Sequence, residues 1–225
     1  MTTRVREIPG PAGRLETLLE EPPPQGGINS EGLVERGRAD GVRAAVVLAH
    51  PHPQYGGSMH TKVVYQVAKA LTRIGCAVLR FNFRGVGMSE GSWDEGRGEL
   101  DDFRAAVAFM RARYPNVRMW SAGMSFGAWV ALTAGVEDDG VSTLVGIAPP
   151  LSRYDFENVR TSNKPKFFIQ GERDELCPLK DMQEFYARAY DPKELVVIDG
   201  ADHLFDGKVL EVGDAIEDLL SDWNG

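Results

Sequence analysis

Residues 118–136 read RMWSAGMSFGAWVALTAGV, and the reading of this stretch decides the fold. The first part, 118–123, is apolar and ends in glycine, which suits a buried strand. The part from 126 to 136 has the length and composition of a helix. Between them stands Gly123-Met124-Ser125-Phe126-Gly127, a G-x-S-x-G motif at a strand-to-helix junction. A serine on so sharp a turn needs a strained backbone, and side chains two positions away on either side would collide, so glycines flank it. With 25 glycines in 225 residues, chance expects only about 0.1 such matches.

Working outward, short apolar runs recur at RAAVVLAH (43–50), AVLRFNF (77–83), STLVGIA (142–148), KFFIQG (166–171) and ELVVIDG (194–200). Near-continuous apolar character marks strands covered on both faces. Helical patterns alternate with them at 59–75, 98–115, 126–136, 179–190 and 207–223. Alternation of this kind predicts an α/β fold with a mostly parallel sheet, helices on both faces and ligands at the C-terminal strand ends. Upstream, TRVREI and GRLETLLE read as two short strands joined by the turn signal PGPAG. Residues 22–41, rich in Pro, Gly and charge, read as a long surface loop or hairpin tip within a single domain spanning 1–225.

The formal charge of −8 argues against a nucleic-acid or anionic-membrane partner. No run approaches the roughly 20 apolar residues of a membrane span, and the N-terminal residues lack the apolar segment of a secretory signal. Cys76 and Cys177 have no metal-site spacing and read as unpaired thiols, so the expected location is the cytoplasm.

Three of the four histidines, His50, His52 and His60, fall in LAHPHPQYGGSMH (48–60). They suggest a metal centre, but that reading leaves GMSFG without a role, and neither metal nor cofactor is expected. A serine hydroxyl is a weak nucleophile until a base takes its proton. The remaining histidine, His203, lies in a loop after the last strand, which brings it to the same sheet edge. An imidazole needs an orienting carboxylate: Asp174, after the preceding strand, leads, with Glu172, Glu175, Asp199 and Asp202 as competitors. The order Ser125, Asp174, His203 is the nucleophile–acid–base order of α/β-hydrolases.

On LAHPHPQYGGSM, FNFRGVGMSEG, GMSFG, GERDELCP and GADHLF, in this order across residues 43–223, the chain resembles the serine α/β-hydrolases. Within that superfamily it resembles the small, lid-less bacterial carboxylesterase-type members related to dienelactone hydrolases. Dienelactone hydrolases proper use a cysteine where this chain has Ser125, which points away from dienelactones and toward ordinary esters. The resemblance implies about eight strands, the first pairs antiparallel. It also implies two oxyanion donors, the backbone N–H of Phe126 and an N–H from the loop after the third strand. There Pro51 and Pro53 have no N–H to give. The family's His-Gly-x loop laid over this one puts the donor at His52, with Gln54 as the alternative.

Other features carry less. RGVGMSEG (84–91) reads as a turn lining the pocket, with Arg84 tied into local hydrogen bonds. Tyr55, Trp93 and Met124 are candidates for pocket lining or for ordinary packing. Asp101 and Asp102 suit a helix N-terminus. About fifteen residues separate APP (148–150) from the next strand, too few for a lid domain, so an open site for short or soluble esters is expected. Thioesters, amides and acyl transfer use the same chemistry and stay as alternatives, as does, further off, a non-catalytic binding protein on the same fold. The expected partner is a small-molecule ester, and a homodimer is left open.

Overall fold

Apolar residues at consecutive positions are buried only where both faces of a strand are covered, and the sheet meets that condition. The computed structural model describes residues 5–23 and 41–223, so most of the 22–41 segment lies outside the described residues. Eight strands form one sheet: β1 (Glu7–Gly10), β2 (Gly13–Glu20), β3 (Ala44–Ala49), β4 (Ala77–Phe81), β5 (Arg118–Met124), β6 (Val141–Ile147), β7 (Lys166–Gly171) and β8 (Lys193–Ile198). Their order is β1-β2-β4-β3-β5-β6-β7-β8. The β1–β2 and β2–β4 pairs are antiparallel and every later pair is parallel.

The helices are α1 (Lys62–Arg73), α2 (Arg97–Arg113), α3 (Phe126–Glu137), α4 (Glu157–Thr161), α5 (Leu179–Arg188) and α6 (Val209–Leu220). Side chains alternate across a strand, so each central strand feeds two cores. Ala45, Val47 and Ala49 pack with α2 and α3 through Phe103, Ala106 and Val130. Ala44, Val46 and Leu48 pack with α1 and α6 through Val67, Leu71 and Ile216. This is the expected α/β fold with helices on both faces. Among the described residues no helix is long and apolar enough to cross a membrane.

Several local expectations need correction. The first strand, Glu7–Gly10, takes only the end of TRVREI and runs past it, with Ile8 opposite Leu15 in the core; Thr3 and Arg4 lie outside the described residues. The short helix α4 was not foreseen. His60 precedes α1 in a turn rather than opening the helix. Asp101 and Asp102 do not serve the start of α2. That role falls to Glu99, whose carboxylate accepts from the Asp94 and Gly96 amides at 3.1 and 2.8 Å. Asp101 pairs with Arg104 at the surface. Asp102 is buried and takes the Arg84 guanidinium at 3.0 and 2.8 Å, plus the Arg84 amide at 3.0 Å.

Candidate active site

Ser125 sits between β5 and α3 at φ 55°, ψ −122°, a backbone conformation that costs an L-residue energy. Its amide donates to Ile147 O at 2.8 Å, which ties the turn to the neighbouring strand. The flanking glycines are there for contact reasons. A Cβ on Gly123 would stand 2.1 Å from Gly127 O, and one on Gly127 would stand 2.4 Å from His50 O. The turn therefore closes only without side chains at both positions, and it lifts Ser125 above the C-terminal sheet edge.

The loops after β7 and β8 reach the same edge. The Ser125 hydroxyl lies 2.9 Å from His203 Nε2, and His203 Nδ1 lies 2.8 Å from Asp174 Oδ2. One tautomer satisfies both contacts: Nδ1–H donates to the carboxylate, which leaves Nε2 free to accept from serine. Asp174 is buried, and its other oxygen accepts from the Leu176 and Cys177 amides at 2.9 and 2.7 Å. The competing acids are engaged elsewhere or exposed. Glu172 accepts from the Gly200 amide, Asp202 from the amides of Leu204 and Asp206, and Glu175 and Asp199 are exposed.

Sequence reasoning missed Gln170. Fully buried, it donates through Nε2 to Asp174 Oδ2 at 3.0 Å and to Cys177 O at 2.6 Å. Oδ2 is the oxygen that also receives His203, so Gln170 helps fix the carboxylate that faces the imidazole. The only available signal was a polar residue inside an otherwise apolar strand, IQG.

The histidine-rich loop divides its histidines among different tasks. His50 is fully buried, with Nδ1 at 2.6 Å from Pro51 O and Nε2 accepting from the Phe83 amide at 3.1 Å. Burial lowers its pKa to about 4, so the ring is neutral and donates from Nδ1. His52 Nδ1 accepts from the Gln54 amide at 3.2 Å, and its ring packs among Tyr55, Trp93 and Phe126. Burial and, second to it, the nearby Arg153 charge lower the His52 pKa. His60 is exposed and takes no part.

The loop's amides can be followed one by one. Pro51 and Pro53 have none. Gln54 donates to the His52 ring, Tyr55 and Gly57 donate to His52 O at 3.1 Å each, and Gly56 donates to Pro53 O at 3.4 Å. The His52 amide is left without an acceptor among the described residues, as is the Phe126 amide at the start of α3.

Above Ser125 opens a cavity of about 790 Å³, within the usual range for a small-molecule site. Its walls include Tyr55, Phe126, Tyr154, Leu176 and Leu204, with Arg153 at its edge. Of the three pocket candidates only Tyr55 lines it. Met124 is wholly buried on the α1/α6 side, because alternation along β5 turns it away from the site. Trp93 stands behind His52 and Phe126, touching both rings, and supports the wall rather than forming it. Asp174, Cys177 and His203 bring potential ligand atoms within 4.8 Å of one another. The carboxylate there already accepts four hydrogen bonds, and the thiol, its pKa pushed up chiefly by burial, faces Ala148 O. That donor set does not fit a cation.

Comparison with known proteins agrees with this architecture. The model of the serine aminopeptidase S33 family matches residues 40–155. An uncharacterised protein of Rickettsia prowazekii is 36% identical over 206 residues, which is 88% of this chain and 85% of the relative. Among solved structures, an α/β serine hydrolase homologue from Coxiella burnetii superposes with a TM-score of 0.85 at 32% identity, covering 98% of each chain. An α/β serine hydrolase without a lid from Xanthomonas campestris does so with a TM-score of 0.83 at 33% identity, covering 97% of this chain and 94% of its own.

Proposed function

The chain belongs to the serine aminopeptidase S33 family of α/β serine hydrolases, and from that premise we propose that it cleaves carboxylic esters through an acyl-enzyme on Ser125. The observation that carries this reading is the continuous contact Ser125 Oγ–His203 Nε2–His203 Nδ1–Asp174, at 2.9 and 2.8 Å. In the proposed reaction His203 Nε2 takes the hydroxyl proton as Ser125 Oγ attacks the ester carbonyl. Asp174 holds the imidazole in the accepting tautomer and stabilises the imidazolium. The same proton then goes to the departing alkoxide. A water, deprotonated by His203, splits the acyl-enzyme and returns the serine.

Negative charge on the tetrahedral intermediate needs donors already in place. The two unengaged amides, Phe126 and His52, are the proposed pair, and the engagement of the Gln54 amide argues against the alternative donor. His50 bears on the second donor. Pro51 O and the His52 N–H belong to one peptide group and point in opposite directions across a trans plane. By holding Pro51 O inward, His50 turns the His52 N–H outward.

Amide cleavage at a free N-terminus, the activity in the family's name, needs a group that receives an ammonium. Among the described residues no Asp or Glu side chain lines the cavity, and Arg153 would repel such a substrate, which favours esters. The test is turnover of a short-chain 4-nitrophenyl ester and labelling by a fluorophosphonate probe. Ser125→Ala should abolish labelling and lower kcat by at least about a thousandfold. Equal turnover by wild type and Ser125→Ala refutes the assignment.

A further inference from the structure

We propose that the cavity selects esters that carry an anionic group, received by Arg153 at its edge. The inference rests on the ester-hydrolase reading and adds a substrate class to it. Arg153 follows β6 in the short connection where its amide donates to Pro150 O at 3.0 Å. It is the one permanently charged residue among those lining the cavity, and no carboxylate lines it with Arg153. The fold usually neutralises its arginines: Arg84, Arg104, Arg111 and Arg160 each lie within ion-pair distance of an Asp or Glu. Among the described residues Arg153 has no such partner, although it is solvent-exposed in an acidic protein.

Arg153 lines the cavity, and its charge acts on groups at two places in the wall. It adds to the effect of burial on His52, in the loop after β3, and it opposes the upward push of burial and Asp174 on Cys177, in the loop after β7. Tyr55, Phe126, Tyr154, Leu176 and Leu204, which line the same cavity as Ser125 and Arg153, offer apolar surface to the body of a ligand. A guanidinium fork matches a carboxylate with two parallel hydrogen bonds. The long-range field of a chain with net charge −8 repels anions, so any preference for them must come from a local cation.

The experiment compares matched esters. On the acyl side, 4-nitrophenyl octanoate is set against the mono-4-nitrophenyl ester of suberic acid. On the leaving-group side, phenyl acetate is set against 3-acetoxybenzoate. The readout is the anionic-to-neutral ratio of kcat/KM in wild type, Arg153→Gln and Arg153→Glu. For at least one pair the ratio should fall about fivefold in Arg153→Gln and further in Arg153→Glu. Ratios unchanged by both substitutions in both pairs overturn the proposal. If wild type hydrolyses none of these esters, the ester-hydrolase reading fails instead. Calorimetric binding of monomethyl suberate then decides the Arg153 site alone: weaker binding by Arg153→Gln supports it, and equal binding overturns it.

Discussion

Acid should destabilise this protein through His50 before the carboxylates titrate. The folded chain keeps His50 buried and neutral with a pKa of about 4, against an ordinary value of 6.5. Between those values the unfolded chain binds a proton that the folded chain excludes, so stability falls as pH drops through 6.5 toward 4. The full effect of the shift is about 3 kcal/mol, and between pH 7 and pH 5 it amounts to about 2 kcal/mol. Urea unfolding midpoints at pH 7, 6 and 5 measure it. Wild type should lose that stability over the window, while His50→Asn and His50→Gln should lose correspondingly less from a lower starting point. Those variants leave Pro51 O or the Phe83 amide poorly paired, which costs them about 1–3 kcal/mol at every pH. His52 is also shifted downward, but it is present in every variant and cancels in the comparison. Parallel stability–pH lines for wild type and both variants would refute the argument.

Gly127→Ala should destabilise the fold by about 1–3 kcal/mol, since its new Cβ meets the backbone of His50 and Ala49 rather than a movable side chain. A thermal melt matching wild type counts against the contact argument. Gln170→Leu should lower kcat about tenfold or more with little change in KM, because one charge-assisted hydrogen bond to Asp174 is lost. Steady-state kinetics with a neutral ester would show this, and a change confined to KM would contradict it. Both thiols are buried, and burial pushes Cys76 up to about 12, so a disulfide reagent should modify neither until the chain unfolds. Prompt labelling of the native protein contradicts that expectation.

The sheet was legible because each buried strand has an apolar run of its own and the connections between the central strands are helical. Only the edges were misread. TRVREI has strand-forming residues, but the ladder begins only at Glu7, opposite Glu16, a long-range choice that local preference does not encode. The sequence brought Ser125, Asp174 and His203 forward because their types, order and loop positions are restrictive together. Gln170 stayed hidden because a single polar residue in a strand does not announce its partner. Arg153 stayed hidden because an exposed arginine is ordinary until its surroundings are known. Asp102 was misassigned for a related reason: its acid character fits a helix N-terminus, and its pairing with Arg84 crosses the fold.

The loop 50–57 shows how far each kind of information reaches. Two of its amides are removed by covalent chemistry, since Pro51 and Pro53 lack them, and that much is readable from letters. The next four are removed by hydrogen bonds, three of them converging on His52 itself through its ring and its carbonyl. Such bonds depend on a turn with Gly56 at φ 80°, a conformation that residue identity permits without dictating. The last degree of freedom is the rotation of the Pro51–His52 peptide plane. It is fixed by His50 Nδ1 from one side, and His50 is fixed in turn by the Phe83 amide from the next strand's end. A donor held in this way needs no rearrangement when charge develops on a substrate oxygen, which is the condition for electrostatic stabilisation to lower a barrier. The histidines therefore matter here through the backbone: His50 orients the peptide, and His52 occupies its neighbours so that its own N–H is the one left to act.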